Sequence, residues 1–261
     1  MIIDTHVHLA VKDFAHDLPE VLERAQAAGV QKFIIPGVDR ASFFPMMEVV
    51  RRYPDICFPA VGLHPIDVFD NWQEELRFVE EQLPQHNFVA IGETGMDLYH
   101  NKERVAEQRL VFEAQINWSL RYNLPLIIHS RDAFDELFAV LDKFKGQALR
   151  GVFHAFSGSI EIYRRAQKYG DFKMGVGGVV TFKNAGLANV VKTCDLNDII
   201  LETDAPWLSP VPFRGQRNES AHLSYIVAKI AELRGCSREE VEEVTTRTAE
   251  TLFNLMVKGE R

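Results

Sequence analysis

Cysteine is scarce. The 261 residues contain three, Cys57, Cys194 and Cys236, which form neither a CxxC pair nor an even framework. That excludes a disulfide scaffold and points to a reducing, cytoplasmic setting. Long hydrophobic runs are also missing: the longest nearly apolar stretch, residues 174–182, is nine residues, too short to span a bilayer. The N-terminal MIIDTHVHL has no basic segment and Asp4 interrupts its apolar run, so no signal peptide or membrane association is expected. Positive charge is in deficit, 29 Lys+Arg against 37 Asp+Glu for a net −8. A long electrostatic track for nucleic acid is therefore excluded, though not a nuclease that grips one or two phosphates. No Gly/Ser linker, low-complexity tract or charge block marks a boundary, and no obligate protein partner is evident, so one domain over 1–261 is expected.

What recurs is a short, β-branched apolar run followed by a helical pattern. The runs are 2–8, 32–38, 57–64, 88–93, 124–129, 151–154, 172–176 and 199–204. Most are too continuously apolar for amphipathic helices and read as strands buried on both faces. Between them, helical patterns cover 18–28 (stopping at Gly29), 71–83, 104–122, 131–144 and 160–169. A capping-box pattern, Ser237 with Glu240, opens a last helix through about Met256. Eight strands alternating with helices give a closed (β/α)8 barrel or a doubly wound sheet. The count of eight, and the lack of a GxGxxG after the first strand, favour the barrel.

The polar residues fall at strand ends: His6 and His8 on the first, then His64, Glu93, His129, His154 and Asp204 on the third, fourth, fifth, sixth and eighth. His6 and His8, two apart, share a face. In a barrel these seven side chains meet at one mouth. Each has a bland alternative. An HxH can sit on a half-exposed sheet face, Glu93 can pair with a buried arginine, His64 can bond a turn, His129 and His154 can be satisfied core histidines, and Asp204 can cap the turn before Pro206. All seven landing at strand ends by chance is much harder to accept. Together the set suits two divalent ions, Zn²⁺, Mg²⁺ or Mn²⁺: His6, His8 and Asp204 for one, His129 and His154 for the other, Glu93 bridging, and a shared water as nucleophile.

The stretches DTHVHL (4–9), GLHP (62–65), AIGETGMD (90–97), LPLIIHSRDA (124–133), FHAFSG (153–158), LETDAPWL (201–208) and RGQRNES (214–220) resemble the TatD-like metal-dependent deoxyribonucleases of the amidohydrolase superfamily. The resemblance covers essentially the whole chain. It implies an α/β fold, a distorted (β/α)8 TIM barrel, with 3′–5′ exonuclease action on DNA. By position, His6, His8, Glu93, His129, His154 and Asp204 match the metal ligands, and His64 matches a histidine near the scissile phosphate. Asp204 matches the residue that takes the proton from the attacking water. Where the family commonly has proline after Arg-Asn-Glu, this chain has Ser220. A carbamylated-lysine bridge, used elsewhere in the superfamily, is not expected, because Glu93 holds that place and the next lysine downstream is Lys102.

The leading expectation is thus a phosphodiesterase acting on DNA ends. Its rival is an acyl or amide hydrolase, acting for example on aminoacyl-tRNA, since such a site polarises a carbonyl as readily as a phosphoryl group. A barrel kept only as an interaction module would be expected to have lost ligands, and none is missing. Arg131, Lys183, Arg214, Arg217 and Asn218 are expected to supply phosphate contacts at the mouth. With so few cations, the expected enzyme is distributive and prefers short or frayed single-stranded ends.

Overall fold

The computed structural model describes residues 1–255. Among them, eight strands lie in one parallel sheet in sequence order: β1 (Ile2–Asp4), β2 (Val30–Ile35), β3 (Cys57–Val61), β4 (Ala90–Asp97), β5 (Leu126–Arg131), β6 (Leu149–Phe153), β7 (Gly170–Val176) and β8 (Ile199–Leu201). The sheet closes between β8 and β1, with most of the seam formed just past the ends of the two strands. Val7 bridges Ala205, Thr5 N–H donates to Leu201 O at 3.0 Å, and Asp204 N–H donates to His6 O at 2.9 Å. This is the distorted (β/α)8 barrel, and the doubly wound alternative is set aside.

The helices are α1 (Leu18–Ala27), α2 (Arg40–Arg52), α3 (Trp72–Gln82), α4 (Val105–Tyr122), α5 (Phe134–Leu141), α6 (Ile160–Ala166), α7 (Leu187–Thr193), α8 (Leu223–Arg234) and α9 (Arg238–Phe253). Three of them are absent from the sequence expectation. Pro45 sits inside α2 and masks its pattern, although Asp39 and Ser42 form a reciprocal capping box at its start. In α7 there are only seven residues, too few for periodicity to declare itself. The third, α8, follows a long irregular stretch after β8. The helix expected from 131 starts later because β5 runs on through Arg131, which pairs with Asp97 of β4. Ser237 caps α9 by accepting from Glu240 N–H at 3.0 Å, and Met256 lies outside the described residues. No helix among the described residues is long and apolar enough to cross a membrane.

Side-chain alternation divides the strands between two cores. Phe33, Ile35, Leu126 and Ile128 face outward into the large core under the helices. Ile3, Ile34, Ala60, Ala90, Ile127, Val152 and Ile200 form a second core, which Ala249, Leu252 and Phe253 of α9 complete. Counting on by twos from these residues gives His64, His129, His154 and Asp204 at the opposite end.

The alternation slips twice. Past Asp4 the chain leaves the strand, and between Ile91 and Thr94 the β4–β5 register shifts. Those slips turn His6, His8 and Glu93, whose numbers have the wrong parity, toward the same mouth. Glycine makes the second slip possible. Gly92 has φ +156°, and a Cβ there would lie 2.6 Å from Ile127 Cβ. Gly95 has φ +132°, and a Cβ there would lie 2.2 Å from His129 O. Gly95→Ala should therefore destabilise the fold by about 3 kcal/mol or more, through backbone strain and a clash against a strand that cannot yield. A urea denaturation midpoint unchanged from wild type would refute this account of β4.

Candidate metal centre

Glu93, 3% exposed, is the hub of the mouth. Its Oε2 lies 3.1 Å from His6 Nε2 and 3.9 Å from His8 Nε2. Its Oε1 lies 2.9 Å from His129 Nδ1, 3.2 Å from His64 Nε2 and 3.7 Å from His154 Nε2. Asp204 Oδ1 approaches the first group, 3.4 Å from His8 Nε2, 3.7 Å from His6 Nε2 and 3.8 Å from His154 Nε2. The structure thus brings all seven strand-end residues together, and divides five imidazoles between the two oxygens of one carboxylate.

Burial alone would raise the Glu93 carboxyl, but the imidazoles of His64, His154 and His6 outweigh it and hold the group well below its ordinary range. Asp204 is lowered in the same way: burial opposes, and His154, His8 and His6 prevail. Burial opposes protonation of His154 too, yet Glu202, Glu93 and Asp204 push it up to about 10. His6 is pushed down by burial and by the charge of His154, whose ring it stacks on at 3.5 Å. The two ionised carboxylates are competent oxygen donors, and an imidazole such as His154 becomes a nitrogen donor when an ion displaces its proton.

Donor spacing agrees. Bonds of about 2.0–2.2 Å to a tetrahedral ion place donors about 3.3 Å apart. The His6 and His8 nitrogens stand 3.1 Å apart, with Glu93 and Asp204 at comparable distances. Among the described residues three sets of side chains, His6–His8–Glu93, His64–Glu93–His129 and His6–His154–Glu202, have donor atoms mutually close enough to share an ion. The residues fit divalent metal.

His64 differs from the others. Ile66 N–H donates to its Nδ1 at 3.1 Å, so in the neutral ring the proton sits on Nε2 and points into the mouth. It is placed to donate a hydrogen bond.

Sequence reasoning missed the carboxylates behind the histidines. Asp97 Oδ2 is 3.0 Å from His129 Nε2, and Glu202 Oε1 is 3.2 Å from His154 Nδ1 while also accepting from Ala155 N–H at 2.6 Å. Such partners fix ring orientation and raise basicity. The signal was alternation: Asp97 follows Glu93 by four and Glu202 precedes Asp204 by two.

The cavity over this centre has a volume of about 530 Å³. Among the described residues its lining carries no arginine or lysine; Val11, Ile35, Val38, Met46, Ile66 and Trp207 form much of its wall. The expected phosphate contacts divide accordingly. Arg131 and Arg214 are exposed, with guanidinium carbons 5.0 Å over Tyr99 and 4.0 Å over Phe182. Lys183 is exposed as well. None of the five lines the cavity, and two of them have their donors engaged by other residues of the chain. Arg217 binds Asp17 Oδ2 at 2.6 Å and Asp13 O at 2.6 Å. Asn218, fully buried, donates to Thr203 O at 2.9 Å and Trp207 O at 2.7 Å, holding the loop after β8.

A family model described as "TatD related DNase" matches residues 3–254. A Bacillus subtilis relative, named an uncharacterized metal-dependent hydrolase, YabD, is 39% identical, covering 98% of this chain and all of its own. An Erwinia tasmaniensis relative, 30% identical over 97% of this chain and 99% of its own, is named a 3′-5′ ssDNA/RNA exonuclease, TatD. The crystal structure of the TatD homologue YjjV from Escherichia coli K12 superposes with a TM-score of 0.87 at 32% identity, over 97% of this chain and 98% of that one.

Ser220, where the family pattern commonly has proline, donates through Oγ to the buried Asp4 Oδ2 at 2.6 Å. Asp4 also accepts from Thr203 Oγ1 at 2.6 Å and Thr203 N–H at 3.0 Å, tying the loop after β8 to β1. Burial pushes the Asp4 carboxyl up to about 7 despite these donors. Ser220→Ala should cost about 1–3 kcal/mol, the toll of leaving a buried acceptor short of a partner. Equal unfolding free energies for variant and wild type would remove Ser220 from that role.

Proposed function

The chain belongs to the TatD-related DNase family, and from that membership we propose that it is a metal-dependent phosphodiesterase removing nucleotides from single-stranded DNA ends in the 3′-to-5′ direction. The observation that carries the reading is the division of imidazoles across Glu93, with His6 and His8 on one oxygen and His64, His129 and His154 on the other. It supports two divalent ions, Zn²⁺, Mg²⁺ or Mn²⁺, held by His6, His8, Glu93, His129, His154 and Asp204 with Glu93 shared. Ions bound there would supply Lewis acidity toward a phosphoryl oxygen and lower the pKa of water.

The chain's own groups do the rest. Asp204, held ionised by the imidazoles beside it, accepts the proton of the attacking water. His64, with its Nε2 proton directed into the mouth, donates to a phosphate oxygen or to the departing oxygen. Arg131 and Arg214 at the rim take backbone phosphates farther along the strand. The named activity of the Erwinia relative supports the substrate class. The second reading, hydrolysis of an acyl or amide bond, is favoured by one observation, the cavity lining without lysine or arginine.

Metal analysis of wild type should find two tightly held divalent ions per chain, and Glu93→Gln should lower metal content and turnover together. Two retained ions with wild-type turnover would take Glu93 out of the bridge. Asp204→Asn should lower kcat about 100-fold or more with little change in KM, the mark of a group acting in the transition state. A raised KM at unchanged kcat would assign Asp204 to binding. Linear single-stranded DNA should be cut and the circular form spared, with a log–log salt slope of about −0.7 to −2, one to three neutralised phosphates. Rapid cutting of the circle, or hydrolysis of acyl esters alone, would defeat the nuclease reading.

A further inference from the structure

The cavity is divided. Its apolar wall comes from Val11, Ile35, Val38, Met46 and Ile66, on the segments at and after the ends of β1, β2 and β3 and on α2. The exposed cations Arg131, Lys183 and Arg214 belong to β5 and to the loops after β7 and β8. Trp207 stands beside the apolar wall, 51% exposed, its ring edge-on to His8 at 4.9 Å and 66°. An exposed tryptophan is usually mobile, but this one is pinned through its backbone: Trp207 N–H donates to Asp204 O at 2.9 Å, and its carbonyl accepts from the buried Asn218. Asp67 and His100 line the same cavity and offer hydrogen-bonding groups there.

Such a wall has no use for a phosphate and would hold an apolar group carried next to the scissile bond. The exposed indole face, carried on an anchored stretch of backbone, selects a planar ring over an aliphatic chain, because one flat aromatic surface stacks best on another. We propose that Trp207 and the wall facing β1–β3 form a nucleobase subsite, which seats the terminal base of the strand against the metal centre and leaves the backbone to run toward the cationic rim. The inference rests on the phosphodiesterase reading for its place in catalysis. It accounts for how an acidic protein could engage a polyanion with few cations: the end residue is held by its base.

The test uses manganese-loaded full-length protein and three thymidine pentamers ending in thymine, in an abasic tetrahydrofuran residue, or in a cyclohexyl group in place of the base. Wild type should release the thymine-bearing residue at least about tenfold faster in kcat/KM than either analogue, within the five- to 150-fold that base–aromatic stacking supplies. In Trp207→Ala that ratio should fall to within about twofold of unity. Equal rates on thymine and abasic ends would overturn the subsite, and a cyclohexyl end as good as thymine would replace it with a general apolar pocket. Calorimetry gives a readout independent of turnover: thymidine 5′-monophosphate should bind at least about tenfold tighter than 2-deoxyribose 5-phosphate, with the preference lost in Trp207→Ala. Equal affinities would overturn the subsite whether or not DNA is cleaved. A preference for the nucleotide without cleavage of any pentamer would uphold the subsite and sink the nuclease reading instead.

Discussion

A carboxylate buried among five imidazoles is the constraint from which the rest follows. Taking Glu93 out of water costs several kcal/mol unless charge and hydrogen bonds compensate it, and here the compensation comes from five histidines on four other segments of the barrel. To receive them the backbone of β4 must slip one register. Glycine must stand before and after Glu93, and the segment following β2 must reach across so that Gly37 N–H bonds Gly92 O and Glu93 N–H bonds Gly37 O. Sheet geometry and site chemistry are one requirement at this point of the chain.

The site was legible in the sequence where the period-two rule carries without interruption. Ile127 and His129 share a face of β5, and His154 and Asp204 fall on the same count from Val152 and Ile200 just past the ends of β6 and β8, so an apolar residue at the barrel floor announces a polar one at the mouth. The same rule reaches Asp97 from Glu93 and Glu202 from Asp204, two carboxylates overlooked because they touch histidines from behind. Charge was a poorer guide. Nothing local in Arg217 shows that its partner is Asp17, 200 residues earlier, and a buried Asn218 reads like any loop asparagine until its carbonyl partners are known. Pairings across the β8–β1 seam are set by closure of the whole ring, which no short window contains. The helices were legible where caps and periodicity coincide, as in α4, and hidden where Pro45 or brevity interrupts the pattern.

The loop after β8 shows how one buried network can serve several purposes. Asp4 ties Ser220 and Thr203 to the first strand, Asn218 bonds the carbonyls of Thr203 and Trp207, and Asp204 lies between. Asp204 and the backbone of an exposed tryptophan are thereby held by side chains that never meet solvent. The network gives a loop without regular structure its internal partners, and Ser220 supplies a hydroxyl donor that a proline would lack.

The helix at the floor has a consequence of a different kind. Ala249, Leu252 and Phe253 of α9 stopper the end of the barrel opposite the histidines, with Lys32 and Arg150 bonding the last carbonyls of that segment. Among the described residues the barrel is therefore a blind well, entered and left at the histidine end. A spent molecule must back out through the opening its successor is waiting to enter, so traffic is single file. Departure through that mouth is thus a step the fold itself adds to every turnover.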